Sequence, residues 1–299
     1  MKYISLLLLF LAAAAPASAA TMDEANASYA AKDYAAARSA AEDLAKGGDV
    51  GAMMLLGSLY QKGLGVTASL DTAMAWYGKA ADAGHAPAQL ALALIYLRGD
   101  LGSVDYDQGS SLLRKAAETG NAEAQFNMGL LASGAFGNPP DWIEAARWFR
   151  SAAEQNLAAA QYNLGILYLE GNGVAKNPLT AGEWLAKAAA QGNADAMLDY
   201  GVLVFRGDGV QKNEKIGAQW LLISARHGNV IAQNRVARLY AFGKGVEADP
   251  VEALKWNLLA AKAGRPDAEL DTMLAKLNAA QKSEAEKRAG AFVPEVPGE

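Results

Sequence analysis

The glycines that follow an apolar run are the first residues whose types and spacing could do chemistry. In GNGVAK, residues 171–176, two closely spaced glycines suggest a loop whose N–H groups hold a phosphate. A dinucleotide-binding loop carries a third glycine, follows a strand and begins a helix. This loop lacks the third glycine and follows a helical pattern, and similar loops recur at Gly63, Gly207 and Gly243. A structural role is therefore favoured over a catalytic one.

Other catalytic and metal-binding groups are sparse. The chain has two histidines, His85 and His227, and no cysteine. Two separate histidines without a thiol provide neither a zinc site nor a nucleophile with its base. Carboxylates are scattered over positions typical of helix caps and solvated faces. We therefore predict that the chain is not an enzyme, has no catalytic residue and uses no metal or cofactor.

The N-terminal segment 1–19 predicts export. Lys2 precedes an apolar run, residues 4–15, and Ala17-Ser18-Ala19 matches a small-residue cleavage site. The run is too short to span a membrane, which takes about 20 residues. We expect cleavage near Ala19 and a mature protein in the bacterial periplasm or secreted, without stable membrane insertion.

The charge balance argues against one class of partner. The formal net charge is −5, and removal of Lys2 with the signal leaves −6. Nucleic-acid binding needs a basic face, so we predict no nucleic-acid partner.

A period of 36 residues organises most of the chain. Six copies follow without insertion, and the small residue Ala52 recurs at each step up to Ala232. Each copy predicts two helices. Gly or Ala five residues after the repeated Ala indicates close helix contact, and a second Gly ends the first helix. The second helix begins at a capping residue, where the copies read Ser69, Asp105, Asp141, Asn177, Asn213 and Asp249.

Large residues on the second helix predict the core. One position in successive copies reads Trp76, Leu112, Trp148, Trp184, Trp220 and Trp256, between positions occupied by Ala or Gly. Small residues let backbones approach, so we expect the large residue to fill the space between repeats. We expect this tryptophan position to be structural.

The pattern also predicts the ends of the array. Residues 20–48 form a shorter capping hairpin, with Asp33 as helix cap and Gly48 as stop, ahead of the six repeats over 49–267. Residues 268–290 predict one C-terminal capping helix with an apolar face. Residues 291–299 are predicted to be a disordered tail.

These units resemble a known family. AQYNLGILYLEGNGV at residues 160–174, followed by WLAKAAAQG at residues 184–192, is similar to the Sel-1-like repeat, a relative of the tetratricopeptide repeat. The likeness covers residues 52–267, and the 22–48 hairpin looks more like a plain tetratricopeptide unit. The resemblance implies an all-α, right-handed α/α superhelical solenoid of helix–loop–helix repeats. It also implies a concave side that binds proteins or peptides, in roles such as scaffold or regulator of cell-envelope signalling or assembly.

In tetratricopeptide-like packing, three positions of each first helix face that concave side. In the four inner copies these positions are mainly apolar, and we call the apolar ones the stripe; the first and last copies are more polar there. The stripe consists of Leu90, Leu94, Leu97, Phe126, Leu130, Tyr162, Ile166, Leu169, Leu198, Val202 and Phe205. An apolar patch with polar ends is typical of a peptide-binding groove. The alternative is that tight winding buries the stripe between neighbouring helices.

Three functions remain after this reading. The favoured one is a non-enzymatic periplasmic scaffold or regulator with a protein or peptide partner. The alternative is an envelope polysaccharide- or peptidoglycan-binding protein, for which Tyr162, Phe126 and Trp142 supply the aromatic rings. A hydrolase is disfavoured because no catalytic constellation supports it.

Overall fold

The computed structural model describes residues 21–295. Within that range every regular element is an α-helix, which confirms the all-α class. The predicted signal peptide, residues 1–19, and residues 296–299 of the predicted tail lie outside the described part of the chain. Contacts divide the chain into two compact units, Met1–Leu92 and Ala93–Glu299.

The first unit contains the N-terminal hairpin and the first repeat. Its helices are α1 (Met22–Ala30), α2 (Tyr34–Lys46), α3 (Val50–Lys62) and α4 (Leu70–Asp82), and α5 (Ala86–Arg98) begins in it. Helices α1 and α2 occupy the predicted hairpin. As predicted, Asp33 caps α2, because its carboxylate accepts a hydrogen bond from the Ala36 N–H at 3.1 Å. The buried core of this unit contains Ala41, Ala45, Ala52 and Leu56.

The second unit continues the same helix pairs. Its helices are α6 (Tyr106–Glu118), α7 (Ala122–Ala132), α8 (Trp142–Glu154), α9 (Ala158–Glu170), α10 (Pro178–Ala190), α11 (Ala194–Arg206), α12 (Glu214–Arg226), α13 (Val230–Phe242), α14 (Pro250–Lys262), α15 (Ala268–Leu274) and α16 (Ala279–Gly290). First helices begin at 50, 86, 122, 158, 194 and 230, and second helices at 70, 106, 142, 178, 214 and 250. The 36-residue period is therefore confirmed.

Side-chain caps set these helix starts. All six predicted caps of the second helices accept a hydrogen bond from a backbone N–H in the first turn of their own helix. Each such cap contributes about 1 kcal/mol. At the other end, the predicted stop residues of the second helices all take positive φ, including Asn156 at 67°. The local signals of the sequence therefore place the helix boundaries.

A glycine lets the two helices of one repeat touch. A Cβ added at Gly165 of α9 would lie 2.8 Å from Leu185 Cγ in α10. The equivalent Gly57 and Gly129 lie against the rings of Tyr77 and Phe149. Ala93 and Ala237 hold the same position in two other copies, so only small residues occur at this helix contact.

The tryptophan position packs between repeats, as predicted, because Trp76, Trp184 and Trp220 lie against the buried clusters of the preceding helices. The centre of the packed face is one residue later, at positions that are all almost fully buried: Tyr77, Leu113, Phe149, Leu185, Leu221 and Asn257. Trp148 and Trp256 are buried, but Trp76, Trp184 and Trp220 keep part of their surface exposed. Lysines cover two of the partly exposed rings: Lys79 Nζ is 4.0 Å from the Trp76 ring and Lys187 Nζ is 4.1 Å from the Trp184 ring.

Buried glutamines connect successive repeats. Gln161 of α9 donates from Nε2 to the carbonyl oxygen of Ala153 at 3.1 Å, and its Oε1 accepts from Gln191 Nε2 at 2.7 Å. Gln89, Gln125 and Gln233 make the same bond to a carbonyl eight residues earlier. Each of these carbonyl oxygens also accepts a backbone N–H, as Ala153 does from Asn156 at 3.0 Å, so the glutamine amide adds a second, buried hydrogen bond between repeats.

The C-terminal end differs from the sequence prediction. One helix was expected over 268–290, but the structure has two, because Asn278 caps a new helix in a reciprocal capping box with Gln281. Leu270 and Leu274 of α15 are buried, in line with the predicted apolar face. The segment after α16 is also packed: the Phe292 ring contacts the Trp256 ring at 5.4 Å between centroids, and the Glu295 N–H donates to the Arg226 carbonyl oxygen at 2.9 Å.

Candidate partner-binding site

Neither of the two histidines belongs to a group of side chains that could bind a metal ion. His227 Nδ1 lies 2.9 Å from the Glu295 carbonyl oxygen in the second unit, whereas His85 belongs to the first unit. Over residues 21–295, no group of three or more His, Cys, Asp or Glu side chains is arranged to hold a metal ion. None of the helices in this range combines the length and apolar character needed to cross a membrane.

The glycine loop between α9 and α10 serves the fold. Gly171 ends α9 at φ 83°, and its N–H donates to the Leu167 carbonyl oxygen at 2.8 Å. Gly173, at φ 67°, lies so close to the Trp142 carbonyl in the first turn of α8 that a Cβ there would overlap it. The loop therefore ends one helix and contacts the preceding repeat. Gly209 and Gly245 make the equivalent contacts with Pro178 and Glu214.

The stripe residues differ in how far the fold covers them. Leu90, Leu97 and Leu198 are buried, and Leu90 lies in the first unit. The other eight are partly exposed, and all of them lie in the second unit: Leu94, Phe126, Leu130, Tyr162, Ile166, Leu169, Val202 and Phe205. Packing between repeats therefore covers each inner copy of the stripe in part and leaves apolar surface open.

Neighbouring repeats supply that partial cover. In the fourth repeat, Tyr162, Ile166 and Leu169 pack against the buried cluster formed by α10 and α11. The Tyr162 hydroxyl donates to Asp199 Oδ2 at 3.3 Å, and burial raises the pKa of both groups. Tyr162, Ile166 and Leu169 thus each have one side packed against the next repeat and one side open.

In the fifth repeat the stripe forms one wall of a cleft. Val202 and Phe205 of α11, with Leu221 and Leu239, provide apolar walls around a cavity of about 180 Å³. Three arginines complete the lining: Arg206, Arg235 and Arg238. We call this the arginine cleft. It combines a small apolar cavity with cationic groups on α11 and α13.

The three arginines of the cleft are not equivalent. Arg238 binds Asp267 through two hydrogen bonds, Nε to Oδ2 at 2.7 Å and Nη2 to Oδ1 at 2.8 Å, and also reaches Glu269 at 3.0 Å. The hydrogen bonds from Arg238 lower the pKa of Asp267 to about 2. Arg206 and Arg235 have no salt bridge within residues 21–295.

A second cleft of the same unit carries the exposed aromatic named for sugar binding. Trp142 and Ile143, 36% and 74% exposed, line an open cavity of about 620 Å³ together with Gly173, Val174 and neighbouring loop residues. The adjacent Asp141 carboxylate is already engaged as the cap of α8. This cleft therefore combines the exposed Trp142 and Ile143 side chains with backbone of the glycine loop.

The arginines were not among the residues predicted from sequence. The position of Arg235 reads Leu55, Ala91, Asn127, Asn163 and Asp199 in the earlier copies. A position that changes from apolar through polar to charged, while its neighbours repeat, is the signal that could have identified it.

The folded units and the periodic contacts define a class, an all-α protein of helix–loop–helix repeats. The chain belongs to the Sel1-repeat family, whose model, Sel1 repeat, matches residues 50–85, 86–121, 122–157, 158–193, 194–229 and 230–264. These six matches cover the six copies read from the sequence. Sel1-repeat proteins generally mediate protein–protein interaction through a solenoid that is typically non-catalytic.

Solved structures agree with the family. A Sel1 repeat protein from Oxalobacter formigenes is 34% identical, with a TM-score of 0.74 over 81% of this chain and 100% of that one. A protective antigen present in uropathogenic Escherichia coli strains, which displays an SLR fold, is 30% identical, with a TM-score of 0.56 over 91% of this chain and 67% of that one. No protein with a curated functional description matches the chain.

Proposed function

We propose that this chain is a non-catalytic scaffold or regulator of the bacterial periplasm that binds a partner protein or peptide through the stripe, in cell-envelope signalling or assembly. The observation that carries the proposal is the partial exposure of eight of the eleven stripe residues, all eight in the second unit. An apolar surface that the fold leaves open is a typical site for a partner segment. The general interaction role of Sel1-repeat proteins supports the same conclusion.

The test is a paired substitution in the fourth repeat. Ile166→Glu with Leu169→Glu places two charges on the open side of α9. The matched control is Ile143→Glu with Leu179→Glu, which charges two apolar residues that are 74% and 57% exposed and lie outside the stripe. Peptides selected from a displayed random library on the wild-type protein serve as the binding probe, and circular dichroism with thermal melting reports folding.

We expect the stripe variant to keep its helical signal and lose the selected peptides, while the control variant keeps both. Buried charge is costly, so an unfolded stripe variant would show that the stripe is structural and would contradict the proposal. Equal peptide binding by the two variants would also contradict it. A pull-down on purified cell-wall sacculi is run beside this assay.

Export is part of the proposal and rests on the signal-like segment 1–19. We expect the protein in the periplasmic fraction to have the mass of a chain that begins directly after Ala19. A full-length protein that starts at Met1 and remains in the cytoplasm would contradict export and leave the binding proposal standing.

Binding of envelope polysaccharide is the second candidate, favoured by the exposed Trp142 beside its open cleft. Exposed aromatic rings suit sugar binding because they present a flat apolar face. Binding to sacculi that is lost on Trp142→Ala and unaffected by the stripe variant would replace the first proposal with this one.

A further inference from the structure

The arginine cleft contains two arginines, Arg206 and Arg235, that form no salt bridge within residues 21–295. The whole chain is acidic, with a formal net charge of −5. Arg206 and Arg235 nevertheless face the same cavity without a salt bridge to any described carboxylate. In a protein with an excess of acidic residues, two arginines without a salt bridge beside apolar walls are a candidate site for an anionic ligand.

Arg235 is the arginine of the cleft whose charge is least compensated by the fold. Its side chain is half-buried, and its Nε is enclosed with no hydrogen-bond partner. Burial lowers the pKa of Arg235, and the nearby Arg206 lowers it further. The one carboxylate that opposes this effect, Asp199, is bonded to the Tyr162 hydroxyl. A partly buried charge without a counter-ion is unfavourable, so a carboxylate placed beside this guanidinium would stabilise the site.

The chain itself shows which acceptor suits the stripe. In the last repeat, Arg238 occupies the position that Val202 of the stripe has in the fifth, 36 residues earlier. It binds the Asp267 carboxylate through both oxygens, and Asn234, also at a stripe position, donates to Oδ2 at 3.0 Å. Asp267 caps α15, whose Leu270 and Leu274 are buried. An acidic residue next to apolar side chains is thus already held by this surface.

The dimensions of the cleft select the size of the ligand. Pockets for drug-sized molecules have volumes of about 300–1,000 Å³, whereas this cavity measures about 180 Å³. It admits an apolar side chain of a peptide more readily than a whole small molecule. Val202 and Phe205 also connect it to the rest of the stripe, which continues along the second unit.

We propose that the stripe binds a partner segment in which an Asp or Glu stands beside a large apolar residue, with the carboxylate on Arg206 and Arg235 and the apolar side chain in the arginine cleft. This inference rests on the proposed function, because it specifies the partner of the same surface. A carboxylate bound by a guanidinium forms short, charge-assisted hydrogen bonds, and it would compensate the charge of two arginines that have no salt bridge within residues 21–295.

The test uses the random peptides selected on the wild-type protein. We expect the selected sequences to be enriched in Asp or Glu next to Leu, Ile, Met or Phe. Arg206→Gln and Arg235→Gln should each weaken a selected peptide about tenfold, the usual scale of a charge-assisted bond. Replacing the acidic residue of the peptide by its amide should produce the same loss, and the loss in the arginine variants should then disappear.

The controls separate this inference from the proposed function. Arg226→Gln changes an exposed arginine at the end of α12, as Arg206 ends α11, and should leave affinity unchanged. If Arg235→Gln fails to fold by circular dichroism, Arg206→Gln decides, because its side chain is exposed. Selected peptides that lack acidic residues, or that bind both arginine variants normally, overturn the inference and leave the stripe proposal standing. Peptides unaffected by Ile166→Glu with Leu169→Glu overturn both.

Discussion

Asp267→Asn tests how the last repeat holds the C-terminal cap. The Asp267 side chain is 8% exposed, and it accepts from Arg238, Asn234 and the Leu270 N–H. Asparagine is as good a helix cap as aspartate, so this change keeps the cap of α15 and removes only the charge. We therefore expect a loss of stability that belongs to the pairing with Arg238.

The magnitude follows from the pKa of Asp267, which is lowered from 3.8 to about 2. Such a shift corresponds to about 2 kcal/mol if it is fully expressed in stability. Arg238 is 42% exposed, and solvent screens such a pair, so we expect about 1–2 kcal/mol. Because the pKa is lowered on folding, the contribution is complete above the unfolded value of 3.8 and is lost as the pH falls through about 2.

Urea denaturation followed by circular dichroism at several pH values measures this difference. The wild type should exceed Asp267→Asn by a constant free energy of unfolding at neutral pH, and the gap should close in acid. Hydrogen exchange at neutral pH should show faster exchange in α15 of the variant, with α9 unchanged. A difference that persists at pH 2, or no difference at pH 7, would refute the role assigned to the ion pair.

Two further predictions concern the fold of the repeats. Gly173→Ala should lower the melting temperature more than Gly120→Ala. Both glycines have positive φ, which costs about 1–2 kcal/mol for alanine. Only at Gly173 would the added Cβ overlap a neighbouring carbonyl, that of Trp142. Equal losses would show that the loop contact is unimportant. Gln161→Leu should cost about 1–3 kcal/mol in urea denaturation, because it removes the buried hydrogen bonds to the Ala153 carbonyl oxygen and from Gln191 Nε2. The exposed Gln219→Leu should change stability by less than about 0.5 kcal/mol. Gln161→Leu as stable as Gln219→Leu would show that these two hydrogen bonds do not stabilise the fold.

The repeat period and the helix boundaries could be predicted because they depend on local chemistry. Asp249 caps a helix through its own first turn, and Gly228 ends one through its own φ of 87°. Such features need no knowledge of distant contacts. Their recurrence at one spacing then gave the number of repeats, and the family match has the same six units.

Features that depend on fine geometry were harder to predict. Trp184 and Leu185 are adjacent in sequence, and only the packing of α9 on α10 shows that Leu185 faces Gly165 while Trp184 keeps part of its surface exposed. The break between α15 and α16 depends on the Asn278 capping box inside a segment with continuous helical character. The arginine cleft was also hard to predict, because Arg235 departs from its repeat position and only the fold brings it to the same cavity as Arg206 of α11.

The stripe positions pack one helix pair against the next along the array, so the proposed binding surface shares its residues with this packing. In the inner repeats its side chains hold the next helix pair, as Tyr162 does through Asp199. In the last repeat Asn234 and Arg238 hold the capping helix through Asp267. A partner segment with an acidic residue beside apolar ones would therefore use the same contacts as the chain's own cap. The polar positions at the end of the array and the apolar positions inside it thus pack against the helices that follow them in the chain.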